Sequence, residues 1–231
     1  KSFADLDSQL VTSYPRTQFG TPIISHQLPH SPPYHNKAIW PFVETYALLA
    51  AKQSGNSQAY AHGFNSLIRS ASLFLSHREN FEYKSGRPDE TQINSDRQLW
   101  SVAGWLGAIY RGLFGISVNY NFDHKGFDLT LEPNNPFEWD RFSLSNVTLH
   151  HTPISILING SGAHIVLMTI NGVPQASDSP IPLKGEALNI VVELGAGKTE
   201  PIDKIELVDY LLPDAPEIFW SNDTLVWTST S

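Results

Sequence analysis

The spacing of the apolar residues changes near residue 116, and that change constrains the fold more than any other feature of the chain. Before it, the spacing is helical. Phe64, Leu67, Ile68, Ala71, Phe74 and Leu75 form the stripe of an amphipathic helix that Asn56 or Ser57 caps and that ends near residue 77. An earlier helix is expected over residues 40–52, with Phe42, Val43, Tyr46, Leu49 and Ala50 on one side. Pro41 falls in its first turn, where a missing N–H costs little, and Gly55 stops it. The short 54–56 turn makes the two a helical hairpin. A third helix is predicted over 97–114, with Ser95 and Gln98 as a capping box and Gly115 as the stop. Its apolar residues, from Leu99 and Trp100 to Leu113, cover a wide arc, so it reads as largely buried. A weaker helix covers 2–12. Residues 15–36 form a proline-rich loop of a length that is usually functional or disordered.

After residue 116 short β-rich runs replace the helical period, at 127–131, 142–150, 154–158, 163–170, 188–194 and 204–211. Asn159-Gly160 and Asn171-Gly172 are tight-turn signals between strands. The expected fold is therefore multidomain α plus β, with helical hairpins over 1–116 and an antiparallel β-sandwich over 117–231.

Composition removes several classes of function. A net charge of −8 argues against nucleic acid as a partner. No apolar run reaches the ~18 residues that a membrane span needs. The chain has no cysteine, which excludes disulfides, thiolate zinc sites and cysteine nucleophiles. It leaves the compartment open, with a periplasmic or secreted location preferred to a cytoplasmic one. Gly195-Ala196-Gly197-Lys198-Thr199 ends like a phosphate loop, but the required earlier glycine falls at Val192 and no helix follows. His26, His30 and His35 lack acidic support, and His150-His151 in a strand would point to opposite faces, so no metal site is expected. No cofactor is expected. Asn146, Asn159 and Asn222 each begin a glycosylation sequon.

Two stretches carry candidate chemistry. The loop from His77 to Glu90 holds Glu79, Glu82, Asp89 and Glu90, interleaved with Arg78, Lys84 and Arg87. A solvated loop of surface ion pairs is one reading. The other is a carboxylate presented to activate water, as glycoside hydrolysis requires. Tyr34, His35, Asn36 and Trp40 bring rings, an imidazole and an amide to a helix N-terminus. Such groups suit a sugar, whose flat apolar face packs on rings and whose hydroxyls take hydrogen bonds; they also suit a staple and an Asn cap. Trp100 and Trp105 sit at core spacing, and Asp96 and Gln98 either cap their helix or point into a site.

The order of these features resembles the C-terminal part of bacterial six-hairpin, α/α-toroid glycoside hydrolases with an attached β-sandwich. The likeness rests on Tyr34-His35-Asn36 through Trp40-Pro41-Phe42, on Glu79-Asn80-Phe81 leading to Gly86, and on Thr91 through Ser101 with Leu113-Phe114-Gly115. A tail from Gly126-Phe127 to Asn146 extends it. The resemblance implies that Glu79 is the catalytic base, with Glu82 next in line and Glu90 third. It implies that Tyr34, His35, Asn36 and Trp40 line the sugar pocket, with Gln98 and Trp100 near its floor. It places the general acid in a first toroid half outside this chain, so a longer polypeptide or a partner chain is expected to supply it. The flanks of the helical part are expected to be exposed and apolar, and the chain alone is expected to be inactive. Hydrolysis of an oligosaccharide or glycoside would then proceed with inversion, the two carboxyls about 6.5–9.5 Å apart. A non-catalytic carbohydrate-binding or scaffold module and a disaccharide phosphorylase are the alternatives. The carboxylate-rich loop counts against the latter, because it would repel phosphate.

Overall fold

The structure, a computed structural model, describes residues 10–25, 27–137, 139–195, 217–221 and 224–228. The expected strand at 204–211, the phosphate-loop-like segment beyond Gly195, the sequon at Asn222 and most of the helix at 2–12 lie outside them.

Helix α1 (Pro41–Gln53) opens with proline just after Trp40, and helix α2 (Ser57–Phe74) opens on Asn56, whose side chain accepts from the Ala59 N–H. α2 buries Tyr60, Phe64 and Leu67, while Leu75 ends it in the left-handed region, almost fully exposed. The stripe is thus turned toward Tyr60 and away from Leu75. The third helix is shorter than expected. α3 spans Leu99–Gly107 and passes into a π-helical turn, Ala108–Leu113. The expected capping box does not form: Gln98 makes no side-chain cap, and the Ser95 hydroxyl donates to the Arg97 carbonyl. Nor is α3 largely buried, since Leu99 is 82% and Trp100 53% exposed. One side of α3 lies hard against α1. A Cβ on Gly104 would meet the Phe42 Cα at 2.9 Å, so only glycine permits this approach. Away from that contact Leu99, Trp100 and Leu106 remain exposed, as does Tyr46 on α1.

Two short strands, β1 (Ala38–Ile39) and β2 (Phe81–Glu82), pair antiparallel within the helical part. β3 (Ile116–Asn121), β4 (Gly126–Leu131) and β9 (Ile181–Pro182) form a three-stranded antiparallel sheet. β5 (Arg141–Leu149), β6 (Thr152–Asn159), β7 (His164–Ile170), β8 (Val173–Gln175) and β10 (Leu188–Gly195) form a five-stranded sheet ordered β5-β6-β10-β7-β8. β11 (Glu217–Ser221) and β12 (Thr224–Thr228) make a separate hairpin.

Two expectations are corrected here. The described chain is not a set of helical hairpins from an α/α toroid; it has few helices and is rich in β-structure. The resemblance to toroid glycosidases is not supported. The reason lies in what the helices bury. Leu48, Tyr60 and Phe64 face Gly112 of the π-helical turn. The same core, with Leu67, continues beyond that turn into Leu129, Ile154, Ile156, Ile158, Met168, Ile190 and Val192 of the strands, where a toroid would have further helices. Phe64 meets Phe137 edge to face at 6.1 Å. The larger sheet is also not purely antiparallel, because β10 inserts between β6 and β7 and runs parallel to β6, with Ile190 opposite Ile156. Asn159-Gly160 therefore closes no hairpin. Asn171-Gly172 does, as a two-residue loop with φ of 50° and 81° between Ile170 and Val173. His150-His151 is a turn of the same size rather than strand.

Lys52 ties the helical part to the β-structure. Its Nζ donates to the carbonyls of Arg111 (2.9 Å), Gly112 (2.9 Å) and Glu132 (2.5 Å), and burial pushes its pKa down to about 8. Lys52→Met keeps the stem and removes three charge-assisted bonds, of which the one to the Gly112 carbonyl is partly buried. Urea unfolding is expected to show a loss of about 2 kcal/mol; an unchanged midpoint would show that the three bonds contribute nothing net.

Candidate functional site

The β1–β2 ladder determines which groups meet. Its register places Ala38 opposite Glu82 and Ile39 opposite Phe81, and Phe81 is wholly buried. The segment before β1 and the segment before β2 are thereby held side by side, so Tyr34 reaches Glu79 across 45 residues of sequence. The 88–98 segment folds back over them. Glu79 N–H donates to the Ser95 carbonyl (2.9 Å), Gln92 N–H to Pro33 (2.7 Å) and Gln98 N–H to His77 (2.7 Å). Asn80, with no exposed surface, locks this return: its amide donates to Ile93, and Asn94 donates to both its backbone and side-chain oxygens.

Glu79 is 8% exposed. The Tyr34 hydroxyl donates to its Oε1 at 3.0 Å and the Ser95 N–H donates to its Oε2 at 2.9 Å. A carboxylate has about four lone-pair positions, so two bonds fix it and leave acceptor positions unused. The bond to Glu79 also raises the Tyr34 pKa above its usual value, because losing the phenolic proton would leave two anions facing each other. Behind Tyr34 the indole of Trp40 donates to the Tyr34 carbonyl (2.9 Å). Exposed His35 stacks on that indole, with ring centres 5.4 Å apart and planes 14° apart. A cleft of about 380 Å³ opens beside Tyr34, His35 and Asn36, walled further by Ile24, Leu28, Pro32 and the polar Ser25, Ser31 and Gln92.

The other expected residues are placed differently. The Asn36 side-chain oxygen accepts from the Leu28 N–H, so Asn36 both lines the cleft and holds the loop around it. Glu82 turns away from Glu79: its Oε2 takes the N–H groups of Lys84 and Ser85, each at 2.7 Å, and caps a turn. Glu90 and Asp89 pair with Arg87 at the surface, and Asp96 pairs with Arg78. Gln98 stands at the start of α3. Trp100, rather than forming core, packs its ring on Phe42 (5.3 Å) and shows its other side to solvent. The chemistry-bearing groups not foreseen are the Ser95 N–H and the polar walls at Ser25, Ser31 and Gln92. A backbone donor carries no residue-type signal, and those walls come together only through the return of the 88–98 segment.

No group of three or more histidines and carboxylates able to hold a metal is assembled among the described residues, and His26 lies outside them. None of the described helices is long and apolar enough to cross a membrane. No family model matches the chain, and no curated protein matches it.

Proposed function

We propose that this region is a saccharide site at which Glu79 acts as general base, drawing a proton from water that attacks a glycosidic carbon. The observation that carries the reading is a nearly buried carboxylate, held by the Ser95 amide and by the hydroxyl of Tyr34, which with exposed His35 lines an open cleft. A positioned carboxylate supplies the base, the Tyr34 and His35 rings that line the cleft supply the apolar platform for a pyranose with Trp40 buried behind them, and Gln92, Ser31 and Ser25 supply hydroxyl partners. In the inverting scheme, a second carboxylic acid protonates the departing oxygen.

A non-catalytic sugar-binding role is the second reading, and one observation favours it. Glu82, Asp89, Glu90 and Asp96 are each engaged by backbone amides or by arginine, so none of them stands as that acid.

Aryl glycosides separate the two readings. A nitrophenolate leaves without needing a proton, so a site with a working base and no acid still turns such substrates over. Across a panel of nitrophenyl glycosides, the chain is expected to release nitrophenolate, and Glu79→Gln to lower the rate on the order of a hundredfold. Sugar binding followed by NMR is expected to be unchanged in the variant. Equal turnover in the variant removes Glu79 from the mechanism. Binding without turnover in the unaltered chain favours the second reading.

A further inference from the structure

We infer that the cleft beside Tyr34 takes an uncharged sugar and turns away the acidic sugar of the same shape, the uronate. The inference rests on the saccharide reading above and names the class of sugar within it. Among the described residues, no lysine, arginine or carboxylate lines the cleft. Its apolar wall is Ile24, Leu28 and Pro32. Its polar wall carries the Ser25 and Ser31 hydroxyls and the Gln92 amide, and these make no hydrogen bond among the described residues. All three are therefore unspent. A hydroxyl or a side-chain amide both donates and accepts, so each serves a sugar hydroxyl in either direction.

The cations close by in sequence are committed elsewhere. Lys37 Nζ donates to the carbonyls of Pro29 (2.6 Å) and Ser31 (3.0 Å), so its charge fastens the loop that forms the wall. Arg87 pairs with Asp89 and Glu90, and Arg78 pairs with Asp96. A carboxylate on the ligand would lose part of its water against Ile24, Leu28 and Pro32, with no lysine or arginine to replace it. It would also approach Glu79, which holds the Tyr34 hydroxyl, and enter the field of a chain whose net charge is −8. A hydroxymethyl group in the same place meets none of these costs. Exposed His35 is the one lining side chain able to carry a positive charge, so the test is run on both sides of the ordinary imidazole range.

The probes are pairs of methyl glycosides that differ only in carrying a hydroxymethyl group or a carboxylate: glucoside and glucuronide, galactoside and galacturonide, mannoside and mannuronide, each in both anomers. Dissociation constants come from amide NMR titrations of the whole chain at about pH 5.5 and about pH 8, with the Leu28 and Gln92 amides reporting the cleft. At least one uncharged glycoside is expected to bind, and the dissociation constant of its uronide to be roughly tenfold higher or more at both pH values. Gln92→Arg, at an exposed side chain, is expected to bring that pair to near-equal affinity, because a guanidinium takes a carboxylate through two bonds. A uronide that matches its uncharged partner on the unaltered chain at either pH overturns the inference and leaves the saccharide site standing. An unchanged ratio in Gln92→Arg, with an amide spectrum that shows the fold intact, overturns it in the same way. Binding by no member of any pair removes the saccharide reading itself, and this inference falls with it.

Discussion

Gly115→Ala is expected to cost about 4 kcal/mol or more, enough to unfold a domain of ordinary stability. Gly115 sits at φ +65° where the π-helical turn gives way to β3. An added Cβ would fall 2.0 Å from the carbonyl carbon and oxygen of Glu132, which are backbone atoms with no rotamer to yield. The same spot is tied by three further bonds. Glu132 N–H donates to Gly115, Asn134 N–H donates to Leu113, and Lys52 reaches the Glu132 carbonyl. Relief of the clash therefore means breaking the joint between helices and sheets. Gly55 supplies the control. It has a similar φ of +75°, but nothing lies within 4 Å of an added Cβ. Gly55→Ala should show only the left-handed backbone cost of ~1–2 kcal/mol. Urea unfolding of the two variants gives both numbers. Equal losses would mean that the Glu132 contact yields easily and that the joint is soft.

Glu44→Gln is expected to reshape the dependence of stability on pH. Glu44 lies in the first turn of α1 with 1% exposure, and its oxygens accept from the Thr21 N–H (2.6 Å) and the Thr21 hydroxyl (3.1 Å). Burial outweighs those two bonds and the charge of nearby Arg16, and lifts its pKa from 4.5 to about 7. The folded state thus holds the proton more tightly than the unfolded chain does. The stability this brings is complete below pH 4.5 and is lost as the pH rises to about 7, a change of roughly 3 kcal/mol. Arg16, His62 and Tyr14 border the same pocket. His62, its Nε2 on the Thr17 carbonyl and its Nδ1 without a partner, has its pKa lowered by burial and so contributes with opposite sign, losing stability as pH falls. Tyr14, shifted upward from 10, stays neutral throughout this window. Because Arg16, His62 and Tyr14 are common to both proteins, the difference between the two stability profiles isolates Glu44. It should grow in favour of glutamine by about 3 kcal/mol between pH 4.5 and 8; parallel profiles would place the charge of Glu44 in water or fully matched by Arg16.

The local elements were legible where a single segment decides them. Pro41 and Asn56 mark the helix starts, and Asn171-Gly172 marks a hairpin, because cap and turn chemistry act within a few residues. What the helices pack against was not legible. An apolar stripe such as Tyr60, Phe64 and Leu67 records that a face is buried, but not what the core continues into; here it runs on into strands where a toroid would have further helices. The parallel placement of β10 was hidden for a related reason. A run such as 188–194 carries no mark of its neighbours, and Asn159-Gly160 looks like a hairpin turn until another strand takes the place beside β6. Exposure of α3 went the same way, since its wide apolar arc is covered only in part. At the site, residue types drew notice to Glu79, Tyr34, His35 and Trp40. Their meeting depends on two residue pairs in the β1–β2 ladder, which no spacing along the chain announces.

The late arrival of β10 also bears on how the protein is made. Strands β5 to β8 leave the ribosome first, yet β6 and β7 cannot join each other, because the place between them belongs to a strand that ends at residue 195. During synthesis the nascent sheet therefore has a gap at its centre, bordered on both sides by unpaired amides and carbonyls. Such a gap delays closure and offers a landing place for strands of neighbouring chains.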